Sequence, residues 1–109
     1  MIDTRYEFRG LLRLGQAALL NSIHDSLKEY IRKPTTKRHN DHNDGITTGR
    51  EYLLGAREDW AIAFPTMDYD AMIEILQQAW EPRAHKTRKM LRGRFATFGR
   101  KTRDVEQPV

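Results

Sequence analysis

The sequence contains no cysteine among its 109 residues. Disulfide bonds, thiolate metal sites and cysteine nucleophiles are therefore excluded. No stretch approaches the roughly 18 consecutive apolar residues that a membrane-spanning helix needs. The first ten residues, MIDTRYEFRG, also lack the apolar run of a signal peptide, and their acidic residues fit a transit peptide poorly. We therefore expect a soluble, cytoplasmic protein that does not associate with membranes.

The sequence also lacks a glycine-rich phosphate loop and a recognisable set of catalytic side chains. His24 and Asp25 are neighbours in a predicted helix, where adjacent side chains point about 100° apart and do not form a dyad. We therefore expect a protein that is not an enzyme and that needs no cofactor.

Acidic residues are absent from one segment of the chain. Residues 82–103 contain no Asp or Glu but nine Lys and Arg residues, which gives a net charge of +9. Residues 1–81 hold ten basic and thirteen acidic residues, a net charge of −3. Asp104 and Glu106 bring the whole chain to its formal net charge of +4. Positive charge concentrated in one segment is typical of a protein that binds a polyanion.

Apolar residues recur at steps of three and four along most of the chain, which predicts an all-α fold. The first helix begins at the capping box Thr4–Glu7 and ends before Pro34, and the second begins at the capping box Thr48–Glu51. The predicted helices span residues 4–33, 49–64, 68–81 and 82–98, with a polar loop at 34–48. We expect a small bundle of three to four helices forming one domain, 1–99, followed by a tail, 100–109.

The basic segment is amphipathic when it is wound into a helix. Ala84, Leu91, Phe95 and Phe98 gather on one side, so we expect the helix to dock on the protein and to direct its cations outward. Rows of arginine and lysine bind phosphate backbones by releasing counterions and by charge-assisted hydrogen bonds. The predicted nucleic-acid contacts are Arg83, Lys86, Arg88, Lys89, Arg92, Arg94, Arg100, Lys101 and Arg103. The pattern does not distinguish DNA from RNA.

The two phenylalanines of this segment leave one alternative open. Phe95 or Phe98 could stack on unpaired bases, as aromatic residues do in single-strand binders, although core packing is the favoured interpretation. Nothing in the segment indicates readout of base edges, so we expect recognition of shape or charge.

The polar stretch His39–Gly45 contains candidate metal ligands. Counted from Asn40, it resembles an EF-hand calcium loop in its Asp-Gly turn and in a terminal Glu51, but histidine at the third position is a poor ligand for calcium. His39 and His42 with a nearby aspartate form a partial zinc set that lacks further ligands. A solvated turn is the favoured interpretation, and we expect no metal site.

A second function fits the same residues. The basic helix could dock on an acidic protein surface, which would make the chain a protein-interaction module such as an adaptor, an assembly factor or an inhibitor. Trp60 and Trp80 are then either core residues, the favoured interpretation, or exposed interface anchors. The long apolar first helix also suggests a homodimer built on that helix, because one subunit need not cover the whole apolar stripe.

One short fragment resembles a known family. Phe8–Arg13, with the sequence FRGLLR, is similar to the signature of LYR-motif proteins, which are small, basic, helical mitochondrial adaptors. The resemblance covers six residues, and Glu7-Phe8-Arg9 stands where Leu-Tyr-Arg is expected. It implies a small helical adaptor and assigns no role to individual residues.

Overall fold

The computed structural model describes the backbone of residues 4–106 and the side chains of residues 10–96. Every regular element within that backbone is an α-helix, which confirms the all-α class. None of the described helices is both long and apolar enough to cross a membrane. The helices are α1 (Thr4–Ser26), α2 (Lys37–Leu54), α3 (Arg57–Ala63), α4 (Tyr69–Ala79) and α5 (His85–Glu106).

The hydrophobic core lies around the C-terminal half of α1. This helix packs most extensively against α2 and also contacts α3 and α5, while α4 bridges α3 and α5. Trp60 is buried in the core, and Trp80 packs against it, so both tryptophans are structural. The buried members of the core are Leu19, Ile23, Leu27, Leu53, Ala56, Trp60, Ala63, Phe64, Leu76, Ala79 and Leu91.

The first helix ends earlier than predicted, at Ser26 rather than near Lys33. The backbone N–H groups of Leu27 and Lys28 donate to carbonyl oxygens three residues back, at 3.2 Å each, which tightens the last turn. Pro34 therefore does not stop the helix. Side chains of other helices bind the backbone oxygens beyond this turn, and a sequence pattern does not reveal such contacts.

Most of the segment predicted as a polar loop, 34–48, is helical, because α2 begins at Lys37. The hydroxyl of Thr36 caps this helix by accepting a hydrogen bond from the His39 backbone N–H at 3.1 Å. Ile46, Gly49 and Leu53 form the buried face further along. The first turns of α2 carry no apolar residue, which is why periodicity of apolar residues did not predict them.

The helix predicted over 49–64 is divided in the structure. Helix α2 ends at Leu54, residues 55–56 form a short connection, and α3 follows. The backbone N–H of Gly55 bonds to the Tyr52 carbonyl at 3.2 Å, which closes α2 with a tight turn. The division lets α3 turn its buried residues, Trp60 and Ala63, onto the core.

The last two helices differ from the prediction mainly at their ends. Helix α4 has Asp68 as its N-cap, with the carboxylate accepting from the Asp70 and Ala71 backbone N–H groups at 3.0 and 3.4 Å. Helix α5 begins at His85 rather than Pro82 and continues through Gly99 to Glu106, so the expected tail is helical as far as that residue. One glycine costs only about 1 kcal/mol in a helix, which is not enough to end it.

Candidate nucleic-acid interface

Helix α5 turns one face to the core and the other to solvent, as the amphipathic pattern predicted for its described part. Leu91 is buried, and Phe95 is partly buried against the core. Lys86, Lys89 and Arg94 are exposed on the opposite side. The basic segment is thus an ordered helix fixed by its apolar residues, and Phe95 belongs to the packed side.

Arg88, one of the predicted phosphate contacts, does not lie on the exposed face of α5. It is only 6% exposed, and its Nε and Nη2 atoms donate to the Glu29 carboxylate at 2.7 and 2.8 Å. Its Nη1 atom donates to the carbonyl oxygens of Ala79 and Glu81 at 3.1 and 2.5 Å. A guanidinium with these partners is satisfied inside the protein and is withdrawn from any external ligand.

Arg92 is also turned toward the protein. Its Nη1 atom donates to the Leu27 carbonyl oxygen at 2.6 Å and lies 3.6 Å from the Glu29 carboxylate. The side chain is partly buried between α5 and the end of α1. Arg92 therefore holds the two helices together, and we leave it out of the candidate interface along with Arg88.

Glu29 is the acidic residue that pairs with both Arg88 and Arg92. Its carboxylate also accepts a hydrogen bond from His85 Nδ1 at 3.0 Å. The hydrogen bond from Arg88, reinforced by the one from His85, lowers the Glu29 pKa from 4.5 to about 2, although burial acts in the opposite direction. Glu29 therefore remains ionised at neutral pH and neutralises part of the positive charge of α5.

Further side chains bind the backbone oxygens at and beyond the end of α1. Arg50 Nε donates to the Ser26 carbonyl at 3.0 Å, and His42 Nε2 donates to the Glu29 carbonyl at 2.8 Å. The Asn43 amide donates to the backbone oxygen of residue 31 at 3.1 Å and accepts from its N–H at 2.8 Å. The last carbonyls of a helix lack internal partners and carry partial negative charge, so cationic donors are favoured there.

Arg50 is additionally enclosed by two aromatic rings. Its guanidinium carbon lies 5.0 Å from the centre of the Tyr30 ring and 5.5 Å from the centre of the Trp80 ring. Trp80 Nε1 donates to the Ser26 hydroxyl at 3.1 Å, which ties the same ring to α1. These contacts make Arg50 a structural cation, and the sequence offered no signal for them because the partners come from two segments, residues 26–30 and Trp80, that are distant from Arg50 in sequence.

The remaining described cations of the basic segment are exposed. No carboxylate among the described side chains, 10–96, forms an ion pair with them. They form the candidate interface, which we call the cationic face of α5: Arg83, Lys86, Lys89 and Arg94. The other predicted contacts, Arg100, Lys101 and Arg103, lie outside the described side chains.

Further exposed cations lie on the segment between Glu29 and His42, which is joined to α5 through the Glu29–His85 hydrogen bond. They are Arg32, Lys33, Lys37 and Arg38.

The candidate metal ligands are used within the fold instead. His39 Nδ1 accepts a hydrogen bond from the Thr35 backbone N–H at 3.2 Å, and His42 donates to Glu29. The stretch that resembles a calcium loop is helical, so its oxygens do not encircle a cation. Among the described side chains, no three His, Asp or Glu residues come together as a metal site requires.

An apolar cleft lies away from these cations, where the N-terminal half of α1 meets α3. Leu11 and Leu14 of α1 are 68% and 69% exposed, and Ile62 of α3 is 63% exposed. The cleft has a volume of about 280 Å³. Its lining comprises Leu11, Leu12, Gly15, Tyr52, Asp59, Ile62 and Ala63.

No protein-family model, curated protein or solved structure matches this chain. The six-residue resemblance at Phe8–Arg13 therefore stands without a family match.

Proposed function

We propose that the protein is a non-enzymatic nucleic-acid-binding protein that contacts phosphate backbones through the cationic face of α5. The supporting observation is that the basic residues of this helix fall into two sets, one turned toward the protein and one exposed to solvent. Arg88 and Arg92 fasten it to the rest of the protein, while the cations of the exposed face have no described carboxylate as a partner. Arg100, Lys101 and Arg103 are further proposed contacts from the sequence.

A fastened helix binds phosphates more effectively than a loose basic tail would. Immobilising a long side chain or a loop at an interface costs about 0.5–1.5 kcal/mol per side chain, and a helix that is already ordered avoids the backbone part of this cost. The bidentate Arg88–Glu29 pair and the buried Leu91 keep α5 in place before a partner arrives. The proposed function therefore depends on the internal arginines as well as on the exposed ones.

The test is a salt titration of binding to a fluorescently labelled nucleic acid, followed by anisotropy. If the four described cations each neutralise one phosphate, log K falls with log salt concentration at a slope of about −3.6. In the double variant Lys86→Gln/Lys89→Gln, the slope should become shallower by about 1.8 and the affinity should fall.

The matched control removes two cations from elsewhere. Lys28→Gln/Arg57→Gln changes the net charge by the same amount, but these cations are paired with Asp25 and Asp70 and lie outside α5. We expect the control to retain the wild-type slope. Undetectable or salt-independent binding by the wild-type protein would contradict the proposal, and equal losses in both variants would show that overall charge alone is responsible.

The second candidate function is a protein-interaction module whose α5 docks on an acidic protein surface. Met90, which is 48% exposed, lies among the cations of α5 and favours this alternative. Methionine and arginine are enriched in protein interfaces. A pull-down that survives nuclease treatment and is lost in Met90→Ser, with circular dichroism unchanged, would support the module over nucleic-acid binding.

The homodimer also remains a proposal, and it concerns a different surface. Leu11, Leu14 and Ile62 are the apolar side chains that a second copy would cover, and monomeric proteins rarely leave a large contiguous apolar patch exposed. Sedimentation velocity tests this: the wild-type protein should sediment as a dimer and Leu14→Glu as a monomer. A monomeric wild-type protein at high micromolar concentration would contradict the proposal.

A further inference from the structure

Four exposed cations lie in the segment that joins α1 to the first turn of α2. Residues 30–40, with the sequence YIRKPTTKRHN, contain these four cations and no Asp or Glu. No carboxylate among the described side chains, 10–96, forms an ion pair with any of them. We call them the linker patch: Arg32, Lys33, Lys37 and Arg38.

Hydrogen bonds hold the backbone of the linker patch in place. The Asn43 side chain binds both the N–H and the carbonyl oxygen of Ile31, at 2.8 and 3.1 Å. The Thr35 N–H donates to His39 Nδ1 at 3.2 Å, and the Thr36 hydroxyl accepts from the His39 N–H at 3.1 Å. The patch therefore carries its cations on an ordered backbone, as α5 does, so that binding requires little further ordering of the chain.

Two cations of the linker patch are unfavourable for the helix that carries them. Lys37 and Arg38 are the first two residues of α2, and its first turn contains no acidic residue. The N-terminal end of a helix carries partial positive charge, so cations at this position oppose the helix dipole. No described carboxylate pairs with them to offset this effect, whereas a bound anion would offset both charges.

The linker patch lies close to the beginning of α5. The Glu29 carboxylate accepts a hydrogen bond from His85 Nδ1 at 3.0 Å, and Lys86 is the next residue of α5. Arg32 follows Glu29 by three residues, which an extended chain spans in about 11 Å at most. The first half of the patch is therefore a neighbour of the first turn of α5.

The second half of the patch is joined to the same residue. The Glu29 carbonyl oxygen accepts from His42 Nε2 at 2.8 Å, and Arg38 precedes His42 by four residues of α2. Side chains four residues apart in a helix lie about 5–6 Å from each other. The backbone of the whole patch is thus within about 25 Å of the first turn of α5.

One nucleic acid is long enough to contact both groups of cations. Duplex DNA carries one negative charge per about 1.7 Å of helix axis, so about 25 Å of duplex offers about 15 phosphates. Glu29, the carboxylate that joins the two groups, is already bound by His85, Arg88 and Arg92. It therefore leaves the linker patch without a neutralising partner.

We infer that the linker patch contacts the phosphate backbone of the same nucleic acid that binds to the cationic face of α5. The inference rests on the proposed nucleic-acid function and adds a second binding site on a different part of the chain. The interface then has two parts, which the contacts of Glu29 hold together in the fold.

The test is a salt titration of the full chain with a labelled DNA duplex of about 20 base pairs, which is about 68 Å long and reaches both groups. Two variants each remove two cations of the linker patch. Lys37→Gln/Arg38→Gln changes the first turn of α2, and Arg32→Gln/Lys33→Gln changes residues that lie outside every described helix. Circular dichroism confirms that both variants fold.

The control Lys28→Gln/Arg57→Gln makes the same change of net charge at cations that are paired within the fold. We expect the slope of log K against log salt concentration to become shallower by about 1.8 in each linker-patch variant, as for two lost phosphate contacts. Their affinity at 100 mM salt should fall at least about tenfold, and the control should retain the wild-type slope.

A wild-type slope in both linker-patch variants, or an equal change in the control, would overturn this inference. The proposed function would still stand if Lys86→Gln/Lys89→Gln loses affinity. If the chain binds a single-stranded RNA of equal length but not the duplex, the same comparison on RNA should give a change of about 1.4. Absence of binding to both ligands would overturn the proposed function as well.

Discussion

Arg88 and Glu29 form a bidentate ion pair across 59 residues of sequence, with the guanidinium buried inside the protein and the carboxylate partly open to solvent. The two hydrogen bonds, at 2.7 and 2.8 Å, join α5 to the segment that follows α1. Because of this pair, one arginine of the most basic stretch of the chain is buried in the protein interior. It determines which face of α5 remains available to a partner.

Removing the buried guanidinium should destabilise the protein. Arg88→Ala leaves Glu29 and the carbonyls of Ala79 and Glu81 without their shared donor. We expect a loss of about 2–3 kcal/mol in the free energy of unfolding, below the usual figure for a fully buried pair because Glu29 retains solvent contact. Urea unfolding measures it. Lys89→Ala, at the exposed neighbouring position, should change stability by about 0.5 kcal/mol or less, and equal effects in the two variants would contradict this account.

The same pair predicts how stability depends on pH. The Glu29 pKa is about 2 in the folded protein and 4.5 as the ordinary value, so the unfolded chain binds the proton more tightly. The stabilisation is complete above about pH 4.5 and is lost as the pH falls toward 2. The Glu29 side chain is 39% exposed, so added salt should weaken the effect.

The variant Glu29→Gln isolates this contribution. Wild type should be more stable than the variant at neutral pH, and the difference should shrink between pH 4.5 and pH 2 because wild type alone loses the ionised carboxylate. Urea unfolding of both proteins across this range measures the difference. Two curves that stay parallel would show that Glu29 is not the titrating group.

Two glycines of α2 should respond oppositely to alanine. A Cβ at Gly49 would lie 3.1 Å from the Ser22 carbonyl oxygen of α1, whereas a Cβ at Gly45 would meet nothing within 4 Å. We expect Gly49→Ala to cost about 1 kcal/mol, because helix backbone must move apart, and Gly45→Ala to stabilise by up to about 1 kcal/mol. Thermal unfolding of the two variants checks both signs. Stabilisation by Gly49→Ala would show that the helices separate without cost.

Lysine should not replace Arg50. The guanidinium donates to the Ser26 carbonyl while it lies near the rings of Tyr30 and Trp80, and an ammonium group cannot present the same planar surface to both. We expect Arg50→Lys to lower the free energy of unfolding by about 1–2 kcal/mol. Arg38→Lys on the exposed part of the same helix is the control and should be nearly neutral. An equally small effect at both positions would argue against the aromatic contacts.

Local sequence signals predicted some elements well. Leu19 and Ile23, which stand four residues apart in the predicted first helix, are both buried. The helix predicted from residue 68 begins at Tyr69, with Asp68 as its N-cap. The beginning of α2 was missed, because His42 and Asn43 fix it through hydrogen bonds to backbone groups rather than through apolar packing. Thr36 was the available signal, since it stands three residues before the N–H that it caps.

The sequence predicted only part of the candidate site, because the rest depends on contacts between distant segments. Charge counting identified α5 as the basic segment, and helical spacing placed Lys86, Lys89 and Arg94 away from the apolar side. Arg88 flanks the apolar side in helical projection, and counting charges treats it like its exposed neighbours. The burial of Arg88 is explained by its ion pair with the Glu29 carboxylate, which the sequence pattern does not reveal.

The sequence by itself determined the all-α class, the apolar faces of the long helices and the concentration of positive charge near the C-terminus, because each follows from the order of neighbouring residues. The tertiary structure decided where α1 ends, that α2 begins at Lys37, and which arginines of α5 face inward. Those features depend on hydrogen bonds and ion pairs between segments far apart in sequence. Such contacts exist only after packing has lowered solvent access and brought donor and acceptor within about 3 Å of each other.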